Sequence, residues 1–275
     1  MKFILSKLIG LFINIVGIFF PKLAARMALF LFTKPMKGEI NEKQSDFLDT
    51  AFREELTFNN MPIMTYRWLG KRETILLAHG WESNSARWQT LITNLKQKGY
   101  GVVALDAPAH GRSGSNRFNA IVYSEFIKVV AERFQPNIII GHSVGGMATA
   151  YYQFKYQEES IQKLIFLGAP SEFIDVLTRY TDMLSFSNRV IKHLKKLIKE
   201  RFGEFPEEFS TAKYAAKITS QGLIIHDKKD GIIPYNDAIL IKNKYKNSRL
   251  ISTEGFGHSL ATDEVSNYIY EFLEN

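Results

Sequence analysis

Ser143 stands in a pentapeptide whose spacing suits a nucleophilic hydroxyl group. Residues 141–145 read GHSVG, directly after a short apolar run at 137–140 and before a helical pattern that begins near Val144. A serine on a sharp strand-to-helix turn projects its hydroxyl above the sheet, and the two glycines remove side chains that would clash there. The pattern G-x-S-x-G is weak alone, but between a strand and a helix it predicts a catalytic serine.

A histidine is the base that such a serine needs, because the hydroxyl is a poor nucleophile until its proton is removed. His258 fits this role best, since it lies in a glycine-rich loop, 255–259, between the last apolar run and the last helical pattern. His142 neighbours the serine, and we expect it to point elsewhere. The other histidines end strands or lie in a turn or in a basic helix, and they are His79, His110, His193 and His226.

The histidine in turn needs a carboxylate that holds its tautomer and stabilises the imidazolium. A loop after the apolar run 222–226 contains Asp227 and Asp230. We favour Asp230, because an acid beyond the strand end can reach the histidine, and Asp227 is the second candidate. Asp106 is expected to brace a turn. The chain order is then serine, aspartate and histidine.

An oxyanion hole requires two N–H donors aimed at the acyl oxygen. One donor is expected to be the backbone N–H of Val144, and the other the backbone N–H of Trp81, in the sequence His79-Gly80-Trp81. Gly80 lets that backbone approach the substrate, and each donor contributes on the order of 3 kcal/mol to transition-state stabilisation. The Trp81 ring itself could simply belong to the core.

Alternating short apolar runs and helical patterns must position these residues. Two strands, at 56–60 and 63–68 around a turn at 59–62, are predicted to form a hairpin. Six apolar runs read as buried parallel strands, at 74–78, 101–105, 137–140, 163–167, 222–226 and 249–252. Helical patterns lie between them, at 86–98, 120–135, 144–157, 237–246 and 263–273. This alternation predicts an α/β fold with a mostly parallel sheet.

One insertion, residues 171–221, interrupts the alternation and shows no convincing strand. Its clearest element is an amphipathic helix at 189–202, with apolar residues on one face and mostly lysines opposite. This helix is either a solvated helix packed on the core or part of a lid over the active site. A lid of this kind would turn its basic face toward a membrane or an acidic substrate.

The N-terminal segment, residues 1–38, combines apolar and basic residues. Its apolar run at 3–20 approaches the length of a membrane span, Pro21 should end that helix, and a second helical pattern covers 23–32. Three interpretations stay open. The segment is a membrane anchor that spans or lies on a bilayer, a helical pair packed on the body or on a partner, or a cleaved signal peptide.

The charge distribution indicates whether a membrane or a nucleic acid is the better candidate partner. The net charge is +7, but residues 1–38 contain six basic and no acidic residues, while the rest of the chain is nearly neutral. This favours an anionic membrane surface over nucleic acid, which would need a basic face on the folded body. The chain has no cysteine, so disulfides and thiolate metal sites are excluded. No dinucleotide loop or metal cluster is evident, so we expect no cofactor and no metal.

Five motifs occur in an order that resembles the α/β-hydrolase superfamily, specifically its lid-bearing serine esterase and lipase branch. They are HGW at 79–81, DAPAHGRS at 106–113, GHSVGG at 141–146, DGIIP at 230–234 and GH at 257–258. The resemblance covers about residues 55–275. It implies catalytic roles for Ser143, Asp230 and His258 and a helical lid within 171–221. Serine at position 143 argues against dehalogenase chemistry, which uses an aspartate there.

These observations predict an eight-stranded, mostly parallel sheet with helices on both faces. The domain layout would be a hydrophobic helical segment, 1–38, and a hydrolase domain, 39–275, with the lid inserted at 171–221. The expected function is hydrolysis of a carboxylic ester with an apolar acyl group, in a small molecule or a lipid. Thioesterase or acyltransferase activity, a non-catalytic scaffold and a membrane-complex subunit are the alternatives. The location would be membrane-associated or cytoplasmic, with secretion open.

Overall fold

The computed structural model describes residues 2–275, with side chains from Ile4 onward. The side chains of Lys2 and Phe3, which contribute to the predicted basic and apolar N-terminal segment, lie outside the described part. The chain divides into two compact units. The sheet unit comprises residues 35–171 and 211–275, and the helical unit comprises residues up to Lys34 together with 172–210.

The sheet unit is built on one eight-stranded sheet. The strands are β1 (Phe52–Phe58), β2 (Met61–Trp68), β3 (Thr74–Ala78), β4 (Gly101–Leu105), β5 (Ile138–His142), β6 (Lys163–Leu167), β7 (Gln221–Asp227) and β8 (Ser248–Thr253). Their order is β1-β2-β4-β3-β5-β6-β7-β8, with β2 antiparallel to both of its neighbours and every other pair parallel. The predicted mostly parallel α/β sheet is confirmed.

Helices connect these strands and supply the helical unit. In chain order they are α1 (Lys2–Phe19), α2 (Pro21–Thr33), α3 (Glu42–Leu48), α4 (Gln89–Gln97), α5 (Ala120–Phe134), α6 (Val144–Tyr156), α7 (Phe173–Leu184), α8 (Asn188–Phe202), α9 (Thr211–Ala215), α10 (Tyr235–Lys244) and α11 (Asp263–Glu274). Every residue of β4 and of β5 is buried, so side chains on both faces of the sheet are covered. This burial explains why these strands read as unbroken apolar runs.

The first hairpin differs from its prediction. Strand β1 begins at Phe52, four residues before the expected start at Leu56, because Arg53, Glu54 and Glu55 obscure its pattern at an exposed sheet edge. The turn is also shorter than expected and contains only Asn59 and Asn60, with φ of 47° and 62°. Positive φ at both positions is typical of two-residue hairpin loops, and asparagine tolerates it.

The helical unit packs α1 and α2 against α7 and α8 around an apolar core. The packing is close, since a Cβ atom on Gly10 would lie 1.6 Å from the carbonyl oxygen of Leu184. Helix α1 ends at Phe19, Phe20 is non-helical, and Pro21 is the first residue of α2. The chain therefore breaks where the proline predicted the end of the first helix. None of the described helices combines the length and the apolar character needed to cross a bilayer.

Two of the polar residues that interrupt the apolar run of α1, Lys7 and Asn14, bond to partners within the helical unit. Lys7 Nζ donates to the carbonyl oxygen of Asp182, at 3.2 Å, and to Ser185 Oγ. Asn14 donates to the carbonyl oxygen of Ser185, at 2.8 Å, and accepts from the N–H of Ser187, at 2.7 Å. These bonds fix α1 to the turn between α7 and α8.

Candidate active site

Ser143 occupies a strained backbone position between β5 and α6. Its φ of 53° and ψ of −126° lie outside the regions that a non-glycine residue ordinarily adopts. A Cβ atom on Gly141 would lie 2.6 Å from the Gly146 backbone, and one on Gly145 would lie 2.4 Å from the carbonyl oxygen of Ala78. The turn therefore needs glycine at both flanking positions, and these glycines allow the serine to protrude at the end of β5.

Ser143, His258 and Asp230 form one hydrogen-bonded chain. His258 Nε2 lies 3.0 Å from Ser143 Oγ, and His258 Nδ1 lies 2.8 Å from Asp230 Oδ2. A carboxylate accepts hydrogen bonds, so the proton of neutral His258 belongs on Nδ1. Nε2 is then left with a lone pair directed at the serine hydroxyl. This arrangement can remove the hydroxyl proton as a nucleophilic attack begins.

The side chain of Asp230 is buried and extensively hydrogen-bonded. Its Oδ1 accepts from the N–H groups of Ile232, at 2.8 Å, and Ile233, at 3.0 Å. Its Oδ2 also lies 3.3 Å from Nε2 of His226. Burial alone would raise the pKa of Asp230, but hydrogen bonds from His226, His258 and the two amides lower it well below its usual range. The carboxylate is therefore charged at neutral pH and can stabilise a protonated His258.

Asp227, the second candidate, faces a different set of groups. Its Oδ2 accepts from Thr253 Oγ1, at 2.9 Å, and from the N–H of Phe256, at 2.8 Å. Its Oδ1 accepts from the N–H of Lys229, at 2.9 Å. These bonds tie the end of β7 to the end of β8 and to the loop that carries His258, so Asp227 braces that loop.

Two other histidines, His142 and His226, contact the same group of residues, although the sequence did not predict a role for either of them there. His142 was expected to point elsewhere, yet its Nε2 donates to the backbone carbonyl of His258, at 2.8 Å. His226 lies beside Asp230, and its Nε2 donates to the carbonyl of Ile233, at 2.9 Å. Each lies within the last two residues of its strand, at the edge of the sheet where Ser143 emerges, and that shared position was the available sequence signal.

The loop after β3 is oriented by His79, which is completely buried. Its Nδ1 donates to the carbonyl oxygen of Gly80, at 2.8 Å, and its Nε2 accepts from the N–H of Ala107, at 2.9 Å. In a trans peptide the C=O and N–H groups point in opposite directions. Because His79 holds the Gly80 carbonyl, the Trp81 N–H must point away from His79. The Val144 N–H, in the first turn of α6, has no intrahelical acceptor.

A second buried histidine supports the same loop. His110 Nε2 accepts from the N–H of Glu82, at 2.9 Å, while its Nδ1 donates to the carbonyl of Pro108, at 2.8 Å. Burial is the main cause that lowers the pKa of both His79 and His110. Both rings are therefore neutral, which is necessary for their Nε2 atoms to accept hydrogen bonds. The Trp81 ring is half-buried against His110 and Phe118.

Asp106 braces the neighbouring turn, in agreement with its expected role. Its carboxylate accepts from the hydroxyl of Tyr66 and the N–H groups of Ser85 and Arg112, each at 2.9 Å. Gly111 has a φ of 53°, and a Cβ atom there would lie 2.1 Å from Asp106 Oδ2. The motif at 106–113 therefore builds a compact turn that carries His110 to the loop after β3.

Gly80→Ala is expected to lower kcat by roughly 100-fold, because the Trp81 N–H is predicted to be one of two oxyanion-hole donors and the loss of one donor has an effect of this size. The added Cβ would lie 3.0 Å from Ser143 Cβ and 2.9 Å from His142 Nδ1, which must push the Trp81 peptide away from the serine. Steady-state kinetics on a soluble ester would measure the effect. Gly231→Ala is the matched control, because a Cβ there meets open space. Equal kcat values for the two variants would contradict a role of the Trp81 N–H in the oxyanion hole.

Comparisons with known proteins agree with this architecture. A family model described as the alpha/beta hydrolase fold matches residues 73–189. The chain is 24% identical to a bifunctional esterase/perhydrolase from Acinetobacter calcoaceticus, over 76% of this chain and 94% of that protein. It is 25% identical to a monoacylglycerol lipase from Mycolicibacterium smegmatis, over 63% and 75% of the two chains.

Solved structures share the fold at lower sequence identity. A bromoperoxidase from Bacillus anthracis superposes with a TM-score of 0.63 at 19% identity, over 82% of this chain and all of that one. The chain therefore has the α/β-hydrolase fold, and it is similar in sequence to proteins of that fold that act as esterases and lipases.

Proposed function

We propose that the protein is a serine hydrolase that cleaves carboxylic esters through an acyl-enzyme intermediate. The observation that carries this proposal is the continuous hydrogen-bonded chain from the Ser143 hydroxyl through His258 to the charged Asp230, with the serine on a strained turn. Its relatives include an esterase/perhydrolase and a monoacylglycerol lipase, which supports ester bonds as the substrate class.

In the proposed mechanism, Ser143 Oγ attacks the ester carbonyl while His258 Nε2 takes its proton. The N–H groups of Trp81 and Val144 stabilise the negative charge that develops on the carbonyl oxygen. Protonated His258 then donates to the departing alkoxide, and an acyl-serine ester is left. His258 next removes a proton from water, which attacks this ester. The carboxylic acid is released and Ser143 recovers its proton.

The substrate is proposed to be a small-molecule or lipid ester with an apolar acyl group. Thioesterase and acyltransferase activities use the same residues and differ only in the leaving group or the acceptor, so they are the nearest alternatives. A non-catalytic scaffold is the more distant one. The charged Asp230 and the strained Ser143 count against it, because strain of this kind persists where it has a function.

We also propose that residues 1–38 form a separate functional segment that meets a membrane surface. The hydrolase domain would be 39–275, with residues 171–221 as its helical lid. The basic and apolar composition of residues 1–38 supports the membrane partner, and the near-neutral remainder of the chain gives no support to nucleic acid.

Covalent labelling with a fluorophosphonate probe tests the proposed function. The probe reacts only with an activated serine, so we expect the wild-type protein to be labelled and Ser143→Ala to remain unlabelled. Ser259→Ala, one residue from His258 in the same loop, is the control and should be labelled normally. p-Nitrophenyl esters of increasing chain length would then define the acyl preference. A folded wild-type protein that is not labelled would favour the scaffold alternative.

A further inference from the structure

Helix α1 presents a continuous apolar stripe to solvent. The stripe consists of leucine, isoleucine and phenylalanine side chains that recur every three or four residues, and each of them is at least half exposed: Ile4, Leu5, Leu8, Leu11, Phe12, Ile15, Ile18 and Phe19. Soluble monomers ordinarily expose apolar patches of only a few hundred Å², and larger ones mark an interaction site. Lys7 and Asn14 do not interrupt the stripe, because both bond to the turn between α7 and α8.

Helix α2 adds positive charge beside further exposed apolar side chains. Leu23, Phe30 and Leu31 are exposed, and Phe20 precedes the helix with 64% of its surface accessible. Three exposed basic residues lie beside them, namely Lys22 and Arg26 in the helix and Lys34 directly after it. Residues 1–38 contain no acidic residue at all. Apolar side chains flanked by positively charged ones complement an anionic lipid surface.

The packing of α1 indicates how such a helix would meet lipid. The face opposite the stripe is buried against α7 and α8, through Gly10 and Ile13 among others. A helix with one face in a protein core exposes only its other face to acyl chains. This favours a helix that lies in the plane of the interface and inserts its stripe to the depth of the headgroup–acyl boundary.

We propose that the stripe of α1 and the basic face of α2 form an interfacial membrane-binding surface that is selective for anionic lipid. The proposal deepens the membrane association proposed above and does not depend on the hydrolase chemistry. The stripe provides the apolar contact, while Lys22, Arg26 and Lys34 provide the preference for negative headgroups. A second copy of this chain is the competing occupant, and the test distinguishes it.

Co-sedimentation of the full chain with vesicles tests this surface. Wild-type protein should sediment with vesicles of equal parts phosphatidylcholine and phosphatidylglycerol, and at least tenfold less with pure phosphatidylcholine. The double variant Leu8→Glu/Ile15→Glu should lose at least tenfold in binding. Its melting temperature without vesicles should be retained, because both side chains are exposed. Phe52→Glu, at a position in β1 that is more exposed than Leu8 and Ile15, is the control and should bind like wild type.

A second double variant tests the basic part of the surface. Lys22→Glu/Arg26→Glu should abolish the preference for phosphatidylglycerol, and added salt should reproduce this effect in the wild-type protein. Wild-type protein that stays in the supernatant, or stripe variants that bind like wild type, would overturn the proposal. A dimer in size-exclusion chromatography that the stripe variant dissociates, without change in vesicle binding, would assign the stripe to a second copy. Sedimentation needs no turnover, so an inactive enzyme cannot imitate any of these results.

Discussion

Ser143→Ala and His258→Ala are each expected to lower kcat for a soluble ester by roughly a million-fold, and the double variant should lose little more. The serine hydroxyl and the imidazole lie 3.0 Å apart and act in one proton transfer, so the second substitution removes a group that has already lost its partner. Steady-state kinetics on p-nitrophenyl esters would measure kcat for the two single variants and the double variant.

The control for the histidine is His193→Ala, since His193 lies on α8 in the helical unit, where its Nδ1 donates to the carbonyl oxygen of Arg189 at 2.9 Å. Its kcat should stay within a few-fold of the wild-type value. If the losses of Ser143→Ala and His258→Ala multiplied in the double variant, the two residues would act independently. The proposed proton transfer between them would then be incorrect.

Asp230→Asn is expected to lower kcat by about 10⁴-fold while the fold is retained. An amide nitrogen at this position donates a hydrogen bond, so it would favour the His258 tautomer with the proton on Nε2, which cannot accept the serine proton. Asp227→Asn is the matched control. Asp227 bonds to Thr253 and Phe256, so we expect that variant to lose about 1–3 kcal/mol of unfolding free energy and no more than about tenfold in kcat.

The same pair of variants can be followed by denaturant unfolding at several pH values. The pKa of Asp230 is lower in the folded protein than its usual value near 4, so the unfolded chain binds more protons below that pH. The stability contributed by this carboxylate is present above about pH 4 and is lost as the pH falls further. The difference in unfolding free energy between wild type and Asp230→Asn should therefore shrink from pH 5 to pH 2. A constant difference would contradict the depressed pKa.

The sequence was sufficient for those parts of the fold that depend on local pattern. Buried parallel strands such as β4 and β5 are uniform apolar runs, and the elbow at Ser143 requires glycines that are visible in the sequence. The loops that carry Asp230 and His258 were recognisable because each follows a strand directly. The predicted helix bounds were also close to the observed ones, although α10 begins at Tyr235 and not at Asp237.

Features that depend on distant contacts could not be read from the sequence. His79 and His110 support the loop after β3 through backbone groups of Ala107 and Glu82, 28 residues away in each case. His142 reaches the carbonyl of His258 across 116 residues. Lys7 on α1 likewise donates to the carbonyl oxygen of Asp182, near the end of α7. No local pattern encodes such pairs, because only the tertiary fold brings their members together.

The helical unit is assembled from two stretches of chain that are far apart in the order of synthesis. Helices α1 and α2 are complete at Thr33, but the helices that cover their inner faces begin only at Phe173. At ordinary translation rates this gap of about 140 residues corresponds to roughly 7–30 s. During that interval Ile13, Ala28 and Leu29 have no core to enter. Helices α1 and α2 therefore form an apolar hairpin whose inner face stays uncovered until the ribosome has produced α7 and α8.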